Sequence, residues 1–185
     1  KVRDLVVGVT KAMDSYELNI ACANVRTFLD AFNNWYIRRS RGRFWSAVTG
    51  DAALDAEKHS AYDTMYTVLH VLSRTVAPLL PLVAEEIYRG LVDPDESVHL
   101  TDWPDVNELQ ADDALVREMD LVRDVCTGAL GVRNEAGLRV RLPLKSLTIA
   151  GPGAPELAEI EGLFELVQDE VNVKSVSVEG NVESL

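Results

Sequence analysis

Leu18, Ala21, Cys22, Val25, Phe28, Leu29, Phe32 and Tyr36 recur at three- and four-residue steps. A helix carrying so wide an apolar stripe over about five turns must bury it against other helices. The flanking segments supply partners. Leu5, Val6, Val9, Ala12, Met13 and Tyr16 keep the same period and predict a first helix ending near Asp14. Asp14 or Ser15 is then placed to cap the second helix, with Glu17 completing a capping box from Asp14. Thr49-Gly50-Asp51 reads as a turn and cap before a long helix through Leu54, Ala61, Met65, Val68, Leu69, Leu72 and Val76. Pro78 and Pro81 interrupt that helix, and Pro81 suits the first position of the next, which carries Leu82, Val83, Ile87 and Leu91. A hydrophobic fraction of 47% is enough to fill the core of such a bundle.

The second helix runs directly into Asn33-Asn34-Trp35-Tyr36-Ile37-Arg38-Arg39-Ser40-Arg41-Gly42-Arg43-Phe44-Trp45, where four arginines fall within six positions. Guanidinium forks grip phosphates and flat rings stack on unpaired bases, so the block suits a nucleic acid with exposed bases. The alternative is a helix end whose aromatics pack inward while solvated arginines cover the last carbonyls. A continuing helix would put Asn34, Arg38, Arg41 and Trp45 on one face, with Arg39 in reach of the Trp35 or Tyr36 ring. Gly42 could end or loosen that helix. The net charge of -12 opposes RNA binding only at first sight: residues 1–92 carry a net of +1 and residues 93–185 a net of -13. Screening confines exposed charges to about 8 Å at physiological salt, so a basic site in the first half can act locally.

Residues 93–113 form a polar crossing in which Trp103, before Pro104, reads as an anchor. From Asp113 the helical period returns with Leu115, Met119, Val122, Cys126, Ala129 and Leu130, and Gly128, Gly131 and Gly137 suggest where it weakens. The period then alternates. Leu138, Val140 and Leu142 interleave with Arg139 and Arg141 to predict a short strand, with Ser146 to Ala150 as its neighbour. Gly151-Pro152-Gly153 turns into a helix with Pro155, Leu157, Ile160, Leu163, Phe164 and Val167. Val171 and Val173 sit at opposite parity to Val176 and Val178, so the last strand is expected to bulge near Lys174-Ser175. The expected fold is mainly α: a helical bundle over residues 1–135, then a strand-strand-helix-strand α+β domain over 136–185.

No glycine-rich phosphate loop, metal-ligand cluster or Gly-x-Ser-x-Gly elbow occurs. Glu85-Glu86 and Asp112-Asp113 are adjacent pairs that point apart on a helix and read as solvated faces. His59 and His70 lack partners at ligand spacing, and Cys22 and Cys126 read as two buried thiols in a reducing, cytoplasmic setting. These features favour a binding module without metal over an enzyme, and with no apolar run near the roughly 20 residues that span a bilayer a soluble protein is expected. The chain opens inside an amphipathic pattern, as a piece of something longer would.

Asp14-Ser-Tyr-Glu-Leu leading into Asn34-Trp35-Tyr36-Ile37-Arg38-Arg39-Ser40-Arg41 with Phe44-Trp45 resembles the anticodon-binding bundle of the isoleucyl-tRNA synthetase family. Ala77-Pro78-Leu79-Leu80-Pro81 with Ala84-Glu85-Glu86-Ile87-Tyr88, and Val98-His99-Leu100 with Trp103-Pro104, resemble the segments that follow in that family. Arg139-Val140-Arg141-Leu142-Pro143-Leu144 and Asp169-Glu170-Val171-Asn172-Val173-Lys174 resemble its small junction domain. The proline-flanked helix is shared with valyl and leucyl relatives. Some members of the family carry a metal site at the C-terminal end; the two lone cysteines here give no support for one.

The resemblance implies a class I synthetase that joins isoleucine to its tRNA with ATP and Mg in an upstream catalytic domain. Neither the His-Ile-Gly-His nor the Lys-Met-Ser-Lys-Ser type of signature occurs here, so no cofactor is expected in this piece. Its expected partners are isoleucine tRNA and the rest of the synthetase chain, in a monomer without membrane contact. Arg38, Arg39, Arg41 and Arg43 are expected to meet phosphates or base edges of the anticodon stem-loop. Asn34 shares their face, Trp35 and Trp45 would stack or shape the site, and Arg139, Arg141 and Lys145 would add a weaker contact. A valyl or methionyl relative, or a helical scaffold that docks another protein through its aromatics, would fit the same residues.

Overall fold

A computed structural model of the chain describes residues 1–151, 154–157, 160 and 162–180. The chain divides into two compact units, Lys1–Ala111 and Asp112–Leu185.

Unit 1 is helical. It contains α1 (Val2–Asp14), α2 (Leu18–Ala31), a π-helical turn (Phe32–Ile37), α3 (Arg41–Trp45), α4 (Ala52–Val76), α5 (Pro81–Leu91) and a 3₁₀ turn (Val98–Leu100). One cluster holds it together: Leu5, Val9 and Ala12 from α1, Ala21, Val25 and Phe28 from α2, Phe32 from the π-helical turn, Leu72 and Val76 from α4, and Ala77, Ala84, Tyr88 and Val98. Phe28, Phe32 and Tyr36 stack successively, with ring centroids 5.9 and 5.7 Å apart. Phe28 is 7% exposed and forms the first rung of this ladder, within the core cluster. Phe28→Ala is therefore expected to destabilise unit 1 by about 3–5 kcal/mol in urea denaturation.

The α1–α2 corner is not the expected capping box. Glu17 is the N-cap of α2, and no side chain caps it. The corner is closed from the α1 side instead: Tyr16 N–H donates to the Met13 carbonyl at 3.0 Å and Glu17 N–H to that of Ala12 at 2.8 Å. This closure requires a left-handed residue, and Tyr16 takes the position at φ 60°. Its ring is 92% exposed, so Tyr16 does not belong to the α1 stripe. Tyr16→Gly relieves the left-handed strain without losing packing, and is expected to raise thermal stability by up to about 1 kcal/mol. Leu18, Cys22 and Leu29 also face out, because the buried part of the α2 stripe is Ala21, Val25 and Phe28. Cys22 is thus exposed and only Cys126 buried.

The polar crossing is pinned along its length. The Glu85 carboxylate accepts from Ser97 Oγ at 3.0 Å and Val98 N–H at 2.9 Å, and pairs with Arg89 at 3.0 Å. Burial opposes the charge on Glu85, but these partners hold its pKa below the usual carboxylate range. Glu85 is therefore a brace, not a solvated face. Arg74 donates twice to the Asp102 carbonyl, and Trp103 Nε1 donates to Thr10 Oγ1 at 2.9 Å, the anchoring role expected of that ring.

Unit 2 holds α6 (Asp113–Glu135), β1 (Leu147–Ala150), α7 (Ala154–Leu157), α8 (Leu163–Val171) and β2 (Val176–Glu179). Its boundary falls before α6, whereas the sequence reading placed one after it; α6 packs on α8 within the second unit. Asp112, rather than being only solvated, caps α6 by accepting from Leu115 N–H at 2.9 Å. Gly128 and Gly131 lie inside α6; the helix ends at Glu135, and just past its Ala136 cap Gly137 takes a φ of 67° that suits glycine.

The strands differ from expectation. β1 and β2 pair in parallel, Leu147 with Val176 through Ala150 with Glu179, and Leu144 bridges Val173. Residues 138–142 form a turn, not a strand, with Leu138, Val140 and Leu142 all 42–57% exposed. The expected single helix is two short ones, and Val171 closes α8 instead of entering a bulged strand. Left-handed Asn172, at φ 55°, makes that exit and so accounts for the parity change. The expected turn through Pro152 and Gly153 and the tail from residue 181 lie outside the described residues, as does the side chain of Leu54.

Among the described residues, no helix is long and apolar enough to cross a membrane, and no group of His, Cys, Asp and Glu is placed to hold a metal ion.

Candidate nucleic-acid interface

The arginine block folds as three pieces. From Phe32 to Ile37 the backbone winds as a π-helix, and Arg38 N–H reaches back to the Asn33 carbonyl. Wider π winding slows the rotation per residue, and π turns recur at functional sites. Ser40, buried at 5% exposure, breaks the path at ψ 2° before α3 starts. The regular spacing that would put Asn34, Arg38, Arg41 and Trp45 on one face is interrupted at both places. Gly42 lies within α3 and is not the break.

Each predicted residue has a distinct setting. Asn34 is exposed and its amide donates to Asp30 at 2.6 Å, while Arg38 Nε donates to the Asn34 carbonyl at 2.9 Å. The Arg39 guanidinium carbon lies 5.3 Å from the centroid of the half-buried Trp35 ring, a cation–π pair. Trp35 is therefore covered on one side. Arg43 is half-buried and donates to the Glu57 carbonyl of α4 at 3.1 Å. Arg41 and Trp45 are exposed, Trp45 at 86%.

The exposure of Trp45 follows from the burial of its neighbour. Phe44 is 8% exposed and meets Tyr62 of α4 edge-on, with centroids 5.2 Å apart. In a short helix, burying Phe44 turns the next side chain outward. Lys58, not singled out from sequence, donates to the Ser46 carbonyl at 2.6 Å and adds a cation beside α3. Lys58 and Tyr62 are four apart and share one face of α4, a signal present in the sequence; that α3 lies against this face is not. Tyr36 Oη donates to the Ala61 carbonyl at 3.3 Å and ties the π turn to the same helix.

Behind Trp45 the chain turns through Gly50, at φ 78°, onto Asp55. The Asp55 carboxylate accepts from Thr49 N–H at 2.9 Å, Thr49 Oγ1 at 3.2 Å and Gly50 N–H at 2.9 Å. The Thr49 amide, helped by Gly50, the Thr49 hydroxyl and His59, holds this carboxyl below its usual pKa of 3.8, against the effect of burial. Because the folded pKa is depressed, the stabilisation is present above pH 3.8 and is lost as pH falls through the folded value. Asp55→Asn is expected to lower the urea midpoint at neutral pH and to flatten its dependence on pH below about 4.

Arg139, Arg141 and Lys145 are exposed on unit 2. A pocket of about 470 Å³ is lined there by Leu130, Asn134, Leu138, Arg139, Val140 and Arg141.

This combination of cations and an exposed ring on a helical bundle coincides with a family match. Residues 1–149 match the anticodon-binding domain of tRNA ligases. The chain is also 54% identical over 181 residues to an isoleucine–tRNA ligase of Leifsonia xyli, covering 97% of this chain and 16% of that protein. It is 46% identical over 185 residues to the isoleucine–tRNA ligase of Corynebacterium efficiens, covering 100% of this chain and 16% of that one. Against the Mycobacterium tuberculosis isoleucine–tRNA ligase it is 45% identical over 170 residues, with 92% and 15% covered. The chain spans about a sixth of the length of these relatives. The chain belongs to the anticodon-binding domain family of tRNA ligases.

Proposed function

We propose that this chain is the anticodon-binding part of an isoleucine–tRNA ligase. It holds the anticodon stem-loop of isoleucine tRNA so that the acceptor end reaches a catalytic domain elsewhere in the parent chain, where ATP and magnesium are used. This part contributes binding and orientation, and no chemical step. The observation that carries the reading is Trp45: a tryptophan 86% exposed, next to a buried Phe44 and among Arg41, Arg43 and Lys58. An isolated aromatic platform flanked by cations matches an unstacked base joined to phosphates. The names of the relatives point to isoleucine.

In this reading Arg38 and Arg41 meet the RNA directly, Arg39 with Trp35 and Arg43 with Glu57 shape the surface, and Asn34 borders it. Arg139, Arg141 and Lys145 provide a second contact. The test is affinity for isoleucine tRNA and for the same tRNA with a swapped anticodon, each at about 50 and 200 mM salt. Cognate binding that weakens with salt and with the swap is expected. Equal affinity for both tRNAs would overturn anticodon recognition, and salt-independent binding would overturn RNA contact through these cations.

A further inference from the structure

Arg133 has an environment that its place on a helix does not demand. It is 3% exposed, and among the described residues its guanidinium donates to backbone carbonyls: Nη1 to Val171 at 3.0 Å and Asn172 at 3.4 Å, Nη2 to Arg139 at 2.5 Å and Leu142 at 2.7 Å. Its Nε is buried without a hydrogen-bond partner among the described residues. A buried cation is costly, and an apolar side chain fills such a place more cheaply. What the guanidinium adds is a planar fork that ties two segments together.

The tied segment is the basic turn. Leu138, Val140 and Leu142 are exposed, so burial does little to hold residues 138–142 in shape. Hydrogen bonds do: Arg133 takes the carbonyls of Arg139 and Leu142, and Asn172 Nδ2 takes that of Val140 at 2.8 Å. With those carbonyls engaged inward, Arg139 and Arg141 are left exposed and line the same pocket. A guanidinium on a fixed turn loses less entropy on meeting a phosphate than one on a loose turn.

We infer that Arg133 is the positioning residue of a second RNA-backbone contact, fixing the 138–142 turn so that Arg139 and Arg141 meet phosphates at a set spacing. The inference rests on the tRNA-binding reading above. It extends that reading by separating the residues that touch RNA from the one that orders them.

The test uses the 185-residue chain and isoleucine tRNA, with affinity at two salt concentrations, thermal midpoint, and amide exchange of residues 138–145. Arg139→Ala/Arg141→Ala is expected to lower affinity about tenfold and reduce the salt slope by about 1.4, at 0.7 per phosphate contact, with the midpoint unchanged. Arg133→Lys keeps a charge but loses the fork. Asn172→Gly keeps the left-handed backbone and loses only the brace, so it decides the matter where Arg133→Lys does not fold. Both should speed exchange in the turn and weaken binding severalfold. Added to either, Arg139→Ala/Arg141→Ala should cost less than it does alone. Faster exchange with unchanged affinity, or strictly additive losses, would show Arg133 to be a fold residue only and overturn the inference. If Arg139→Ala/Arg141→Ala has no effect while Arg38→Ala/Arg41→Ala does, the inference fails and the tRNA reading stands. If neither pair changes binding, both fail.

Discussion

Replacing Arg38 and Arg41 together by alanine is expected to weaken tRNA binding on the order of a hundredfold, with little change in stability. Both side chains are exposed, and each charge-assisted contact to a phosphate is worth about 1.5 kcal/mol or more, so two amount to about 3 kcal/mol. The salt slope should fall by about 1.4. Arg39→Ala/Arg43→Ala is the contrast. Arg39 lies over Trp35 and Arg43 is bonded to the Glu57 carbonyl, so that pair should lower the thermal midpoint and disturb binding through the shape of the site. Equal loss of affinity from the two pairs, at equal stability, would show that the block acts as undifferentiated charge. Fluorescence anisotropy of labelled isoleucine tRNA with the parent chain and the two double variants, alongside thermal melts, separates the cases.

That division of labour is only partly written in the sequence. The bundle is legible because burial and spacing agree: Leu5, Val9, Val25, Phe28, Leu72 and Val76 stand at helical intervals and meet in one core. The pairing of Arg39 with Trp35 follows from a four-residue step. The common face of Asn34, Arg38, Arg41 and Trp45 depended on uninterrupted α-helical winding, which the π turn and Ser40 break. No residue in Phe32–Ile37 announces π winding; the choice is made by the ring ladder and the tie from Tyr36 to α4. The turn at 138–142 misleads for another reason. Alternation signals a strand when one face is buried, but here the apolar residues are exposed and donors outside the turn, Arg133 six residues before Arg139 and Asn172 farther along the chain, set the backbone. Long-range carbonyl clamps have no local signature, nor does the left-handed Tyr16 that replaces a capping box.

The adjacent pair Phe44 and Trp45 offers the sharpest separation of fold from recognition. Phe44→Ala removes a ring that is 8% exposed and packed edge-on against Tyr62, and is expected to cost about 3 kcal/mol of stability. Trp45→Ala removes a larger ring that is 86% exposed; a surface substitution of this kind changes stability by no more than about 0.5 kcal/mol. Affinity for isoleucine tRNA should reverse in emphasis. Trp45→Ala is expected to lose about 1–3 kcal/mol of stacking, roughly a 5- to 150-fold change, while Trp45→Phe should retain part of it because a flat face remains. Loss of α3 in Phe44→Ala also displaces Trp45, so that variant should bind weakly at temperatures where the rest of the bundle is still folded. Urea midpoints and tRNA titrations on the three proteins decide the matter. If Trp45→Ala bound isoleucine tRNA as tightly as the parent chain, the exposed ring would belong to a contact with protein rather than RNA.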